Sequence, residues 1–179
     1  MAAARFGHTV AVLDGKLYAV GGYNNGRLSS VERYDPALDV WEAVAPMATA
    51  QRGAGVAVLD GKLYAVGGYG GGTLSSVERY DPTANAWEAV APMASMREGH
   101  GVAVLDGKLY AVGGYSDDDL SSVERYDPAL DAWEALAPMG PAPQGQGRKS
   151  SCCSAGSPAG VDRKKRILKS KPQVGGYIV

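Results

Sequence analysis

The sequence predicts an all-β protein: three four-stranded antiparallel sheets followed by a disordered tail. Three observations carry this. Trp occurs at 41, 87 and 133, a constant step of 46 residues, and Gly-Gly pairs at 21–22, 67–68 and 113–114 keep the same step. Each copy holds short apolar runs separated by turn dipeptides, with no helical period and no helix caps. Finally, residues 1–139 carry 10 Lys/Arg against 18 Asp/Glu, whereas residues 140–179 carry 8 against 1, so chain chemistry changes near Gly140-Pro141.

The first copy shows why four strands are expected. Val10-Ala11-Val12-Leu13 is an apolar run, and Asp14-Gly15 follows it. That dipeptide suits a two-residue hairpin turn, because both central residues need positive φ. Lys16–Val20 is the returning strand and stops at Gly21-Gly22. Ser30–Asp35 is the third strand, closed by Pro36; Trp41–Ala45 is the fourth, closed by Pro46. The first two strands are almost wholly apolar, which predicts burial on both faces, while the last two alternate as strands nearer a surface do. A sheet buried on both faces needs a sheet on each side, and copies stacked around an axis supply them. The Gly pair then marks a close approach of a neighbouring segment. Tyr18, Tyr34 and Trp41, repeated at the same step, are expected to pack blade against blade.

Gly21-Gly22, Tyr18, Tyr34 and Trp41 together, with their copies at Gly67-Gly68, Tyr64, Tyr80 and Trp87 and at Gly113-Gly114, Tyr110, Tyr126 and Trp133, resemble the kelch repeat. Each Trp is followed by Glu, not by the Asp of the competing Trp-Asp propeller repeat. The resemblance covers residues 5–139 and implies a β-propeller with one blade per repeat, the blades falling at about 7–47, 53–93 and 99–139. Such propellers close with about six blades. Three blades are half of that, so a single chain is expected to be an open arc that self-associates into a closed ring as a homodimer.

The catalytic inventory is thin. His8 and His100 share one repeat position that is Ala54 in the middle copy, and neither has a Cys or carboxylate in a metal-ligand motif. Asp117-Asp118-Asp119 lacks the spacing of a calcium loop and reads as a solvated acidic loop. Some members of the family are copper oxidases whose His and Tyr–Cys set is missing from these repeats. No enzyme, metal or cofactor is therefore expected.

The repeats differ most in two places: Asn24-Asn25-Gly26-Arg27, Gly70-Gly71-Gly72-Thr73 and Ser116-Asp117-Asp118-Asp119 after the Gly pairs, and Thr49–Arg52 and Ser95–Glu98 between blades. Loops on a rigid scaffold are where binding residues concentrate. By resemblance these loops share one face that contacts peptide ligands. Arg5 and Arg97 match a ligand-facing Arg, with Gln51 and the displaced Arg52 in the middle copy. Tyr23, Tyr69 and Tyr115 match a loop Tyr that meets ligands, and Asn25, Arg27 and Asp117 lie beside them. The expected role is a non-catalytic interaction module for a peptide or protein partner. In the family such modules recruit substrates to cullin-type ubiquitin ligases or bind actin; those roles use a BTB-type or other partner domain, and the sequence reads as lacking one. The alternative, from a different class, is a truncated or consensus-like structural piece without its own ligand; a kelch-type oxidase is a remoter one.

Residues 140–179 open with Gly140-Pro141-Ala142-Pro143-Gln144-Gly145 and cannot bury a core. The basic cluster 163–171 reads as a nuclear-localisation signal, an anionic-surface patch or read-through, and without interleaved aromatics it supports no specific nucleic-acid binding. Cys152-Cys153 excludes a disulfide framework, and no run of 18 apolar residues spans a membrane. With no apolar stretch after Met1–Arg5 to act as a signal peptide, a cytoplasmic location, or a nuclear one through the tail, is expected.

Overall fold

A computed structural model describes residues 4–140. The first sheet contains β1 (Thr9–Leu13), β2 (Lys16–Val20), β3 (Val31–Asp35) and β4 (Val40–Val44). The second contains β5 (Gly55–Leu59), β6 (Lys62–Tyr69), β7 (Thr73–Asp81) and β8 (Ala86–Val90). The third contains β9 (Gly101–Leu105), β10 (Lys108–Val112), β11 (Val123–Asp127) and β12 (Ala132–Leu136). Each is an antiparallel meander in sequence order. No helix occurs among the described residues. The tail, Cys152-Cys153 and the basic cluster at 163–171 lie outside the described residues.

The turns take the conformations their residues favour. Asp14 and Gly15 sit at φ 50° and 70°, and Asp60-Gly61 and Asp106-Gly107 repeat this within a few degrees. That geometry fixes the register Leu13↔Lys16 and Thr9↔Val20, which sets which side chains face the neighbouring blade. The third and fourth strands are joined by turns whose last residue, Asp39, Asn85 or Asp131, also has positive φ. Asp and Asn tolerate that region better than most residues.

The core lies between sheets, not within one. Leu13, Tyr18 and Val20 of the first blade pack against Leu63, Ala65 and Tyr80 of the second. The same positions, Leu59, Tyr64 and Val66, pack against Leu109, Ala111 and Tyr126 of the third. The Tyr18 and Tyr80 rings are 5.9 Å apart, and Tyr64 and Tyr126 5.8 Å. Polar atoms repeat too: Trp87 Nε1 donates to Ala45 O and Trp133 Nε1 to Ala91 O, both at 2.9 Å. Three blades therefore share two cores.

One expectation of burial needs correcting. β2, β6 and β10 are covered most fully, but β1 exposes alternate residues, Val10 and Val12, and β9 is exposed at every position except Val102. The first strands stand side by side at the inner edge of the arc, where Gly53 N donates to Gly7 O and Gly99 N to Gly53 O. One face of β1 lines the axis instead of meeting a sheet, and β9, on the last blade, also has its outer face uncovered among the described residues.

In the first two blades the Gly pair sits between two linkers, its first Gly under the one into the next blade and its second against the one into its own. A Cβ on Gly67 would lie 2.5 Å from Arg97 O, and one on Gly68 2.9 Å from Arg52 O. Both have positive φ. Gly68 N donates to Arg97 O at 2.8 Å, so the close approach carries a hydrogen bond that a side chain would block.

Candidate functional site

The loops after the Gly pairs and the inter-blade linkers meet on one face. Tyr23 N pairs with Phe6 O, Tyr69 N with Arg52 O and Tyr115 N with Glu98 O, so each loop Tyr is held beside the linker that enters its own blade. Between them opens a cleft of about 480 Å³, walled by the backbone of Gly7, Gly53, Gly99 and Gly114 and by Arg52, Glu98, Tyr115 and Asp119. The glycines leave the floor as bare backbone, with no side chain to fill it.

The charge on this face is divided. The Arg27 and Arg52 guanidinium carbons lie 5.9 and 5.4 Å from the centroid of the Tyr69 ring. Arg27 reaches there from the first blade, Arg52 from the linker into the second. Glu98 and Asp119 stand on the side of the third blade. Arg52 thus joins a cationic aromatic patch to a cleft whose lining also carries Glu98 and Asp119.

Arg52 and Tyr115 are brought together in the cleft wall, and Tyr69 with Arg27 joins them through Arg52. Tyr115 is 47% exposed. Tyr23 and Asn25 line a separate depression beside Phe6, with the Tyr23 ring 5.3 Å from that of Phe6. Asn25 is an exposed turn residue at φ 55°. Asp117 is exposed in its loop and does not reach the cleft.

Arg5, Gln51 and Arg97 do not take the ligand-facing role expected of them. Arg97 is completely buried: Nη1 donates to Gly113 O at 2.7 Å, and Nη2 to Glu124 Oε1 at 2.7 Å. Arg5 is built the same way, bonded to Gly21 O and Ser30 O and paired with Glu32. Gln51 is also buried, against Met47 Sδ. The reason is local: the carbonyls near the Gly pair and the buried carboxylate of the third strand both need donors, and a guanidinium satisfies them together.

Glu98 and Asp119 are wall residues that the sequence left unassigned. Asp119 belonged to the acidic triplet; its register with Tyr115 turns it inward and leaves Asp117 outside. His100 is buried beneath the same face, against Gly67 and Gly114. Burial, with Arg97 nearby, pulls its imidazole down to about 4, so it packs as a neutral ring. Among the described residues no group of three or more His, Cys, Asp or Glu is placed to hold a metal ion.

Comparison with known proteins agrees with this architecture. The KLHDC2/KLHL20/DRC7 Kelch-repeats domain model matches residues 1–158. Human Kelch-like protein 35 is 52% identical over 44 residues, which are 24% of this chain and 8% of that protein. The zebrafish Influenza virus NS1A-binding protein homolog B is 53% identical over 47 residues, 26% of this chain and 7% of that one. The matched stretch is thus about one repeat and under a tenth of either relative. The solved structure of YjhT, a kelch propeller, superposes with a TM-score of 0.69 at 19% identity, covering 78% of this chain and 52% of that one. The chain belongs to the kelch-repeat family of β-propeller proteins.

Proposed function

We propose that this chain is a non-catalytic protein-interaction module that binds an extended peptide segment across its loop face. The observation that carries the reading is the Tyr69 ring held beside Arg27 and Arg52, with Arg52 also lining a glycine-floored cleft that carries Glu98 and Asp119. Guanidinium groups bind carboxylates as bidentate forks, and a Tyr adds large contact area at small entropic cost. The fitting partner is a peptide with an acidic residue over Arg27 and Arg52 and a basic one toward Glu98 and Asp119. The names of the relatives support protein binding as a class: one is called a binding protein homolog, and another a Kelch repeat and BTB domain-containing protein. Recruitment to a ubiquitin ligase, or actin binding, is a use to which such a face can be put. A second copy of the chain is a further partner under this reading.

The test is selection of random peptides displayed against the purified chain, followed by rebinding to Arg52→Glu and Tyr69→Ala. Both side chains are partly exposed, so the fold should persist. Enriched peptides should carry acidic residues and lose at least tenfold in affinity on either variant. No enrichment, or enrichment indifferent to both changes, would refute the assignment.

A further inference from the structure

The two cores use two complementary faces of one unit, and each end of the arc presents one of them. On the second blade's side of the first core, Trp87 Nε1 reaches Ala45 O and Asn85 Oδ1 accepts from Ala45 N at 3.0 Å. In the second core Trp133 and Asp131 do the same to Ala91. The first blade holds these groups in the same pose without a preceding blade. Tyr34 OH donates to Asp39 Oδ1 at 2.8 Å, as Tyr80 does to Asn85 and Tyr126 to Asp131. The Tyr34 and Trp41 rings are 5.3 Å apart at 39°, against 5.2 Å at 40° for Tyr80 and Trp87. Among the described residues, Trp41 Nε1 has no acceptor.

The third blade presents the opposite face. Leu13 and Leu59 are 3% and 4% exposed inside the two cores, but Leu105, at the same repeat position, is 57% exposed. Tyr110 is half-buried where Tyr18 and Tyr64 are buried. Ala137, in register with Ala45 and Ala91, has neither the indole nor the carboxylate or amide partner those residues have among the described residues.

We propose that these two faces dock a second copy of this chain head to tail, twice, so that two chains close one ring. The proposal rests on the reading of the chain as a protein-binding module and supplies one such partner. The partner's Trp41 donates to Ala137 O, Ala137 N donates to the partner's Asp39, and Leu105 and Tyr110 cover the partner's Leu17 and Tyr34. At the axis the partner's Gly7 N meets Gly99 O, continuing the chain of bonds from Gly7 through Gly53 to Gly99. Every contact repeats one already made twice within the chain, which fixes register. Closure at two copies follows from size, because this chain spans 52% of the YjhT propeller. A heterologous contact that closes stops growing; one that does not makes filaments. Exposed apolar faces of this kind are uncommon on a stable monomer.

The experiment is light scattering and sedimentation of the full 179-residue chain over a dilution series, beside Leu105→Glu and Trp41→Phe. Leu105 is exposed in one copy, so Leu105→Glu should fold. Wild type should show twice the single-chain mass and a melting temperature that falls on dilution. Leu105→Glu should return it to a single-chain mass, and Trp41→Phe should weaken association at least tenfold. The proposal is overturned by a single-chain mass with a concentration-independent melt, by a doubled mass unaffected by Leu105→Glu, by masses that keep growing with concentration, or by a doubled mass that requires a different co-purifying protein. Peptide capture separates the two readings: capture by a wild type that stays at single-chain mass removes this proposal alone, and a doubled mass lost in Leu105→Glu without any peptide capture removes the peptide reading alone.

Discussion

Arg97 and Glu124 form an ion pair 2.7 Å long in which the side chains are 0% and 3% exposed. The carboxylate also accepts from Ala94 N at 2.7 Å and Ser95 N at 3.0 Å, which ties the linker between blades to the third strand of the next. Burial pushes the Glu124 carboxyl up, but these donors outweigh it and hold it below the usual value. The pair is therefore a clasp on the inter-blade crossing.

Arg97→Ala should cost about 3–5 kcal/mol, because it leaves a carboxylate buried without its counter-ion. Arg97→Gln should cost less. Gln51 occupies that place in the middle repeat, where Glu78 still accepts from Ala48 N and Thr49 N. Urea midpoints of the two variants check the order; equal losses would mean that a neutral amide replaces nothing and that the site needs the guanidinium's charge.

Gly68→Val should destabilise far more than Gly72→Val. A Cβ at Gly68 meets Arg52 O at 2.9 Å with φ at 107°, whereas nothing lies within 4 Å at Gly72. Backbone strain and overpacking add roughly 1–3 kcal/mol each at Gly68. Matching urea midpoints would show that the linker moves aside freely.

The repeat made the fold legible. Fixed offsets of Asp-Gly, Gly-Gly, Tyr and Trp locate twelve strands to within a residue or so at most ends, because each residue type answers a local demand: positive φ at Gly15, a close approach at Gly22, a ring to fill the space between sheets. β6 and β7 run longer than expected, extended by Gly68↔Leu74 and Tyr69↔Thr73 pairing across the Gly-rich loop. The site was legible only in part. Variable loops pointed to Tyr69, Arg52 and Tyr115 as partner-binding residues, and the structure places all three on the loop face. Arg5 and Arg97 were misplaced because their partners Glu32 and Glu124 lie 27 residues away, on a strand that looked like ordinary alternation. The signal was present in Val-Glu-Arg-Tyr-Asp-Pro: a Glu repeated without change next to a buried Val.

His100 should make the fold acid-sensitive in a defined window. Its folded value near 4 lies below the ordinary 6.5, so the unfolded chain binds the proton more readily. The contribution is fully present above 6.5, falls as pH drops from there, and is exhausted near 4. It amounts to about 3 kcal/mol over that range. His100→Ala, which copies Ala54 of the middle repeat, should flatten this part of the curve while leaving losses from carboxylates at lower pH. Urea unfolding at half-unit steps between pH 7 and 4 decides it; parallel curves for the two proteins would show that the imidazole is not held neutral.

Trp41 and Trp87 are the same residue in the same repeat position, and their replacement should not cost the same. Trp87 spans two blades: its indole packs on the first core and its N–H reaches Ala45 O. Trp41 has the same in-blade contact with Tyr34 but no preceding blade among the described residues. Trp87→Ala removes both packing and an inter-blade bond and should cost about 3–5 kcal/mol, as large-to-small core changes do. Trp41→Ala in the Leu105→Glu background, where one copy stands alone, should cost less than half as much against that same background. The difference measures what a neighbouring blade contributes to an otherwise identical side chain. Equal losses would mean that the Trp acts within its own sheet, and that the blade-to-blade contacts of Trp87 add little to the cohesion of the arc.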